Sequence, residues 1–200
     1  MSVSTSTHIP VFTTIQDYRL WREKAFEDKK SVGFVPTMGA LHDGHLSLGT
    51  YAYSITERSQ VDAPSVKRSL AENELTVISI FVNPAQFAPQ EDLATYPRTL
   101  PRDLSVLSTL EYQPIDVYSS RAPSAVFVPS VRDMYPSGIS QDIAEQKGTF
   151  VEVKGYGEQM EGRSRPTFFR GGATVVIKLF NIIQVRAVPG VKMSETSAHS

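Results

Sequence analysis

Cysteine is absent from the 200 residues. That excludes disulfides, thiolate metal sites and a cysteine nucleophile, and it fits a reducing compartment. A surplus of either charge is absent too: 20 basic against 21 acidic side chains leave a net charge of −1. A chain built mainly to grip a nucleic-acid backbone or an anionic membrane would carry a basic excess, so neither partner is expected. Apolar runs are short, and no window approaches the roughly 18 to 20 consecutive apolar residues of a membrane span. The polar start, MSVSTSTHIPVFTT, has no basic cap before an apolar run and no arginine-rich amphipathic character, which leaves the cytoplasm as the expected compartment. No internal repeat is visible. What remains is a chain that is 40% hydrophobic, enough for one full core, or one domain plus part of a second. Its weak charge argues against global disorder.

Residues 1–13 read as a loose tail. TIQDYRLWREKAFEDKK (14–30) places Ile15, Tyr18, Leu20, Trp21 and Phe26 at helical spacings, and the pattern predicts a helix starting near a Thr13/Thr14 cap. SVGFVPT (31–37), TVISIFVN (76–83) and AVFVP (125–129) are short β-branched or aromatic runs stopped at or near proline, the pattern of buried strands. TFVEVK (149–154) alternates and predicts a fourth strand. TLPRDLSVLSTL (99–110) predicts a helix, and so does GATVVIKLFNIIQ (172–184), although its β-branched content also permits a strand. Buried strands alternating with helices predict an α/β fold with a mostly parallel sheet flanked by helices. In such sheets ligands sit beyond the carboxyl ends of the strands.

The loop after the first strand, Pro36-Thr37-Met38-Gly39-Ala40-Leu41-His42-Asp43-Gly44-His45, has the layout of a strand, a turn and a helix start. His42 and His45 are three apart and fall on one face of a first helical turn. Backbone amides there have no intrahelical partner, and the helix dipole is positive. Two imidazoles beside such amides make a phosphate site. The same residues admit a partial metal site with Asp43, or plain capping. Only His8 and His199 remain elsewhere, both near the termini, so no metal site is assigned.

FVPTMGALHDGH resembles the His-x-Gly-His signature of the pantothenate synthetase (pantoate–β-alanine ligase) family, within the HIGH-type nucleotidyltransferase superfamily. SIFVNPAQFAPQEDLATYPRTLPRDL (79–104) is similar to that family's Phe-Val-Asn-Pro-x-Gln-Phe block and its continuation. GTFVEVKGYGEQMEGRSRPTFFRGGATVVIKLFNIIQ (148–184) is similar to a third block. The resemblance implies a Rossmann-like nucleotide-binding domain over 14–184. It implies ATP and Mg²⁺ as cofactors, pantoate and β-alanine as substrates, and a homodimer. The activity implied is formation of a pantoyl adenylate with release of pyrophosphate, then attack by β-alanine to give pantothenate and AMP. Pro36, Thr37, Met38, Gly39, Ala40, Leu41, His42, Asp43, Gly44 and His45 would line ATP. His42 and His45 would offset charge on the departing pyrophosphate, with His45 as proton donor. Gln86 would hold pantoate through an amide that both donates and accepts. Asn83 would stand beside it, although capping the strand exit explains it equally. Glu91 and Asp92 suit Mg²⁺ or a helix cap and stay outside the assigned site. Arg163, Arg165 and Arg170 read better as solvated or paired.

Two stretches depart from the family pattern. Residues 49–65, GTYAYSITERSQVDAPS, interrupt a helix that would be continuous if Leu48 met Val66, and Gly49 and Pro64 break it as written. After Gln184, VRAVPGVKMSETSAHS lacks the family's Gly-Gln-Lys-Asp lysine, its second glutamine and its lid domain. Both stretches have borders compatible with retained introns, and 185–200 is expected to be a non-family tail. The fold is therefore expected to be incomplete at its C-terminus and the chain inactive or nearly so as a ligase. Two other readings stay open: a non-catalytic nucleotide-binding or dimer-partner protein, and another small-molecule nucleotidyltransferase.

Overall fold

Four short strands, β1 (Val11–Phe12), β2 (Val32–Thr37), β3 (Leu75–Ile80) and β4 (Ala125–Phe127), pair in parallel in the order β1-β4-β3-β2. They belong to a computed structural model that describes residues 8–42, 66–87, 93–114, 119–140, 142–155 and 167–185. Helices α1 (Ile15–Glu27), α2 (Val66–Glu72), α3 (Leu100–Ser108), α4 (Val131–Met134) and α5 (Phe168–Ile183) complete the α/β architecture that the alternation predicts.

Period-two alternation sorts the strand side chains between two faces. Val32, Phe34, Val77, Ala125 and Phe127 pack against Tyr18 and Ala25 of α1 and Val175, Leu179 and Ile183 of α5. Val35, Ile78, Ile80 and Val126 pack the other way, against Val66 and Leu70 of α2 and Leu107 of α3. Both faces are covered, which explains why the strands read as unbroken apolar runs. Thr14 caps α1 as the sequence predicts, its side chain accepting from the Asp17 amide at 3.1 Å.

Three expectations are corrected. Residues 149–154 form no strand. The Val151 amide donates to Thr174 Oγ1 of α5 at 2.9 Å, so this segment lies along a helix, and its alternation reflects one side facing that helix and the other facing solvent. The expected N-terminal tail contains β1, which pairs with β4, and a buried Ile9. Helix α5 begins at Phe168, ahead of the expected start, and runs through Gly171 and Gly172.

The C-terminal end of α5 is tied to the body of α1. The Tyr18 hydroxyl donates to the Ile183 carbonyl at 3.1 Å, and Arg22 donates from Nε to the same carbonyl at 3.3 Å and from Nη2 to Gln184 O at 2.9 Å. The last carbonyls of α5 thus gain donors and a cation where the helix dipole is negative. Gln184 closes the helix in the left-handed region, with φ 55°.

Burial holds the Tyr18 hydroxyl well above its ordinary value near 10, with Arg22 and Arg19 opposing in part. The unfolded chain sheds that proton near pH 10, whereas the native chain keeps it. The stabilisation is therefore complete below pH 10 and declines as pH climbs past it. Urea unfolding of Tyr18→Phe at neutral pH is expected to show a loss of about 1 kcal/mol. Between pH 9 and 11 its midpoint is expected to fall less steeply than that of the wild-type chain; equal slopes would contradict the role given to this hydroxyl.

Candidate functional site

Strand β2 leaves the sheet at Thr37, whose hydroxyl donates to the Ser79 carbonyl of β3 at 2.8 Å and accepts from the Gly39 amide at 3.2 Å. The chain then turns through two left-handed residues, Gly39 with φ 84° and Ala40 with φ 51°. Glycine adopts that region freely, but alanine does so at a cost. The turn is held by Asp103 of α3, whose carboxylate accepts from the Ala40 amide at 3.1 Å and the Leu41 amide at 2.9 Å. The Thr99 hydroxyl donates to the same carboxylate at 3.1 and 3.2 Å. Asp103 is only 1% exposed, and these donors offset the cost of burying it. Leu41 is buried behind the turn, and His42 follows it on the exposed side.

Beside this turn, a pocket of about 350 Å³ opens between the carboxyl ends of β2 and β3 and the Gly172–Leu179 stretch of α5. Pro36, Thr37 and Met38 form one wall, Phe81, Asn83 and Gln86 another, and Val175, Val176 and Leu179 the apolar third. Tyr96 stands at its edge in a T-shaped contact with Phe87, ring centroids 5.7 Å apart. Burial, and behind it the Asp103 carboxylate, push the Tyr96 hydroxyl above its ordinary value.

Asn83 begins the 3₁₀ turn Pro84–Gln86. Its Oδ1 accepts from the Ala85 amide at 3.3 Å and the Tyr135 hydroxyl at 2.7 Å. Its Nδ2 donates to Gln86 Oε1 at 3.0 Å and to Gly171 O at 3.1 Å. Gln86 Nε2 in turn contacts Met38 Sδ at 2.9 Å. Helix α5 approaches this turn closely enough that a Cβ on Gly171 would collide with the backbone of Ala85 and Gln86.

Of the residues expected from sequence, Pro36, Thr37, Met38, Asn83 and Gln86 share the pocket. Gly39, Ala40 and Leu41 form the turn beside it, and His42 follows the turn. Asp43, Gly44 and His45 lie outside the described residues, as do the 49–65 segment, Glu91, Asp92, Arg163 and Arg165. Arg170 donates to Gln146 Oε1 at 3.3 Å and stacks over the Phe150 ring at 4.8 Å, away from any phosphate role. Sequence reasoning missed Asp103, Tyr96 and Tyr135. For Asp103 a signal existed: it shares the inward stripe of α3 with Leu100, Leu104 and Leu107, where an acid must find donors.

Comparison with known proteins places this geometry in context. The family model described as Pantoate-beta-alanine ligase matches residues 10–192, running past Gln184. The pantoate–β-alanine ligase of Saccharomyces cerevisiae is 46% identical over 176 residues, covering 86% of this chain and 48% of that protein. The pantothenate synthetase of Thermosipho africanus is 43% identical, covering 91% and 53%. The chain spans about half the length of the curated relatives it matches. Among solved structures, a pantoate–β-alanine ligase from Francisella tularensis, complexed with β-γ ATP and β-alanine, superposes with a TM-score of 0.66 at 31% identity, covering 90% of this chain and 55% of that one. Pantothenate synthetase from Thermus thermophilus gives 0.63 at 34%, covering 90% and 51%.

Replacing Asp103 with Asn puts an N–H₂ group opposite one of the two loop amides. The expected loss is about 1–3 kcal/mol, read by urea unfolding, with faster hydrogen exchange at Ala40 and Leu41. Exchange at wild-type rates in the variant would show that the turn does not depend on this carboxylate.

Proposed function

The chain belongs to the pantoate–β-alanine ligase family, and we propose that its pocket serves that family's adenylate-forming chemistry. A pantoate carboxylate oxygen attacks the α-phosphorus of ATP, and the bond to the β-phosphate oxygen breaks, giving pantoyl adenylate and pyrophosphate. The amine of β-alanine then attacks the activated carbonyl, and AMP departs as pantothenate forms. What supports this reading most directly is the meeting, in one pocket, of the Pro36–Met38 turn, the Gln86 amide and the apolar wall of α5.

The parts divide by chemistry. Val175, Val176 and Leu179 offer hydrocarbon to pantoate's geminal methyl groups, and Gln86 offers a polar contact to its oxygens. The turn from Thr37 to Leu41 carries His42 to the carboxyl edge of the sheet, where phosphates are received in parallel α/β folds. His42, with His45, offsets the charge that grows on pyrophosphate as it leaves, and His45 supplies a proton. Pro36 to Gly39 lie against the adenosine, Ala40 and Leu41 support the phosphate approach from the turn behind it, and Asp43 and Gly44 belong to the same proposed site.

Mg²⁺ is part of the same proposal. Among the described residues no group of three His, Asp or Glu side chains converges. A Mg²⁺ ion commonly keeps most of its contacts to phosphate oxygens and water, and when bound it would screen phosphate charge. Among the described residues no helix is long and apolar enough to cross a membrane. A cytoplasmic setting, a homodimer and the absence of a nucleic-acid partner complete the proposal.

Calorimetry with ATP and with pantoate, followed by a pyrophosphate-release assay, tests the reading. Both ligands are expected to bind, with pantoate-dependent release weak in this chain, and His42→Ala should lower that release by a further ~10²–10³-fold. Binding of both ligands with no release would favour a non-catalytic binding module. Failure to bind pantoate would overturn the proposal.

A further inference from the structure

With no cysteine in the chain, sulfur chemistry falls to methionine. Of the five methionines, Met1, Met160 and Met193 lie outside the described residues. The other two differ sharply. Met134 is only 2% exposed, and Lys178 of α5 donates to its carbonyl at 3.0 Å. Met38 is half-buried and forms part of the pocket wall. A pocket of about 350 Å³ admits a molecule as small as hydrogen peroxide, little larger than water.

The Met38 sulfur also has a defined partner. Gln86 Nε2 approaches it at 2.9 Å, while Gln86 Oε1 is already held by Asn83 Nδ2 at 3.0 Å. A thioether is a weak acceptor, so this N–H₂ group is lightly held and stays free to serve a ligand oxygen. A sulfoxide is polar, and its oxygen accepts far more strongly. Placed on this sulfur, that oxygen would engage Nε2 and leave Gln86 bonded to the protein through both ends of its amide. It would also set a polar group in a pocket whose third wall is Val175, Val176 and Leu179.

We infer that Met38 is an oxidation site that closes the pocket to its acid substrate. A peroxide transfers one oxygen atom to Sδ, which is oxidised from thioether to sulfoxide. The O–O bond breaks, and the other oxygen leaves as water with both protons. A thiol-dependent sulfoxide reductase reverses the step: a pair of thiols is oxidised to a disulfide, and the oxygen departs as water. The inference rests on the proposed function, since pantoate is what the oxidised site turns away.

The experiment treats the full chain with dilute hydrogen peroxide. Peptide mass spectrometry follows oxygen uptake at each methionine, and calorimetry measures pantoate binding before and after. Met38 is expected to take up oxygen several-fold faster than Met134, and more slowly when pantoate saturates the pocket. Pantoate affinity should fall about tenfold as Met38 converts and return after reductase treatment. Met38→Leu, close in volume and without sulfur, should keep its own untreated affinity through the same exposure. If that variant does not fold, the wild-type time course decides, because affinity must fall in step with Met38 and with no other methionine. Full conversion of Met38 with affinity unchanged, or an equal loss in Met38→Leu, would overturn the inference while leaving the proposed function standing. A chain that binds no pantoate before treatment would bring down both.

Discussion

A single buried carboxylate organises the edge of the sheet where the pocket opens. Asp103 gathers two consecutive amides and a hydroxyl onto its oxygens, joining the exit of β2 to the start of α3. Without such an acceptor, Ala40 has little reason to stay in the left-handed region, which disfavours a Cβ. Burying a carboxylate is costly in isolation, and here three protein donors offset that cost. The backbone path that carries His42 to the exposed edge is therefore set by α3, a helix that does not itself line the pocket.

The second organising group is neutral. Asn83 spends its whole amide on the protein, linking the 3₁₀ turn, α5 and Tyr135. A polar network of this kind is valuable only when every member is satisfied, and at Asn83 every position is. The pocket thus combines an apolar wall, which contributes area, with a Gln86 amide whose direction is imposed from behind. Area favours many small molecules alike, whereas the imposed direction distinguishes between them.

Much of the fold was legible because buried parallel strands leave a continuous apolar signature. Strands β2, β3 and β4 and helices α1 and α3 fall close to where their patterns place them. The failures have local causes. Strand β1 is two residues long and has no period to read. Val151 and Val153 alternate in burial with Glu152 and Lys154, but the partner of this segment is a helix, and alternation alone does not say which. The helix expected from Gly172 begins four residues earlier, at Phe168, and Gly171 within it lets α5 press on Ala85. At the site, Gln86 and the Pro36–His42 loop stood out because their residue types suggest chemistry. Tyr135 and Lys178 act through contacts made far along the chain, which no local pattern records; Asp103 was marked only by an acid on an apolar helix stripe.

Helix α5 is fastened at both extremities. Near its start the Gly171 carbonyl accepts from Asn83, and at its end the Ile183 and Gln184 carbonyls accept from Tyr18 and Arg22. A beam fixed at two supports cannot swing about either one. Val175, Val176 and Leu179 lie along that beam, so this wall can adjust to a guest only by rotating side chains, and the cavity's breadth is fixed before anything enters it.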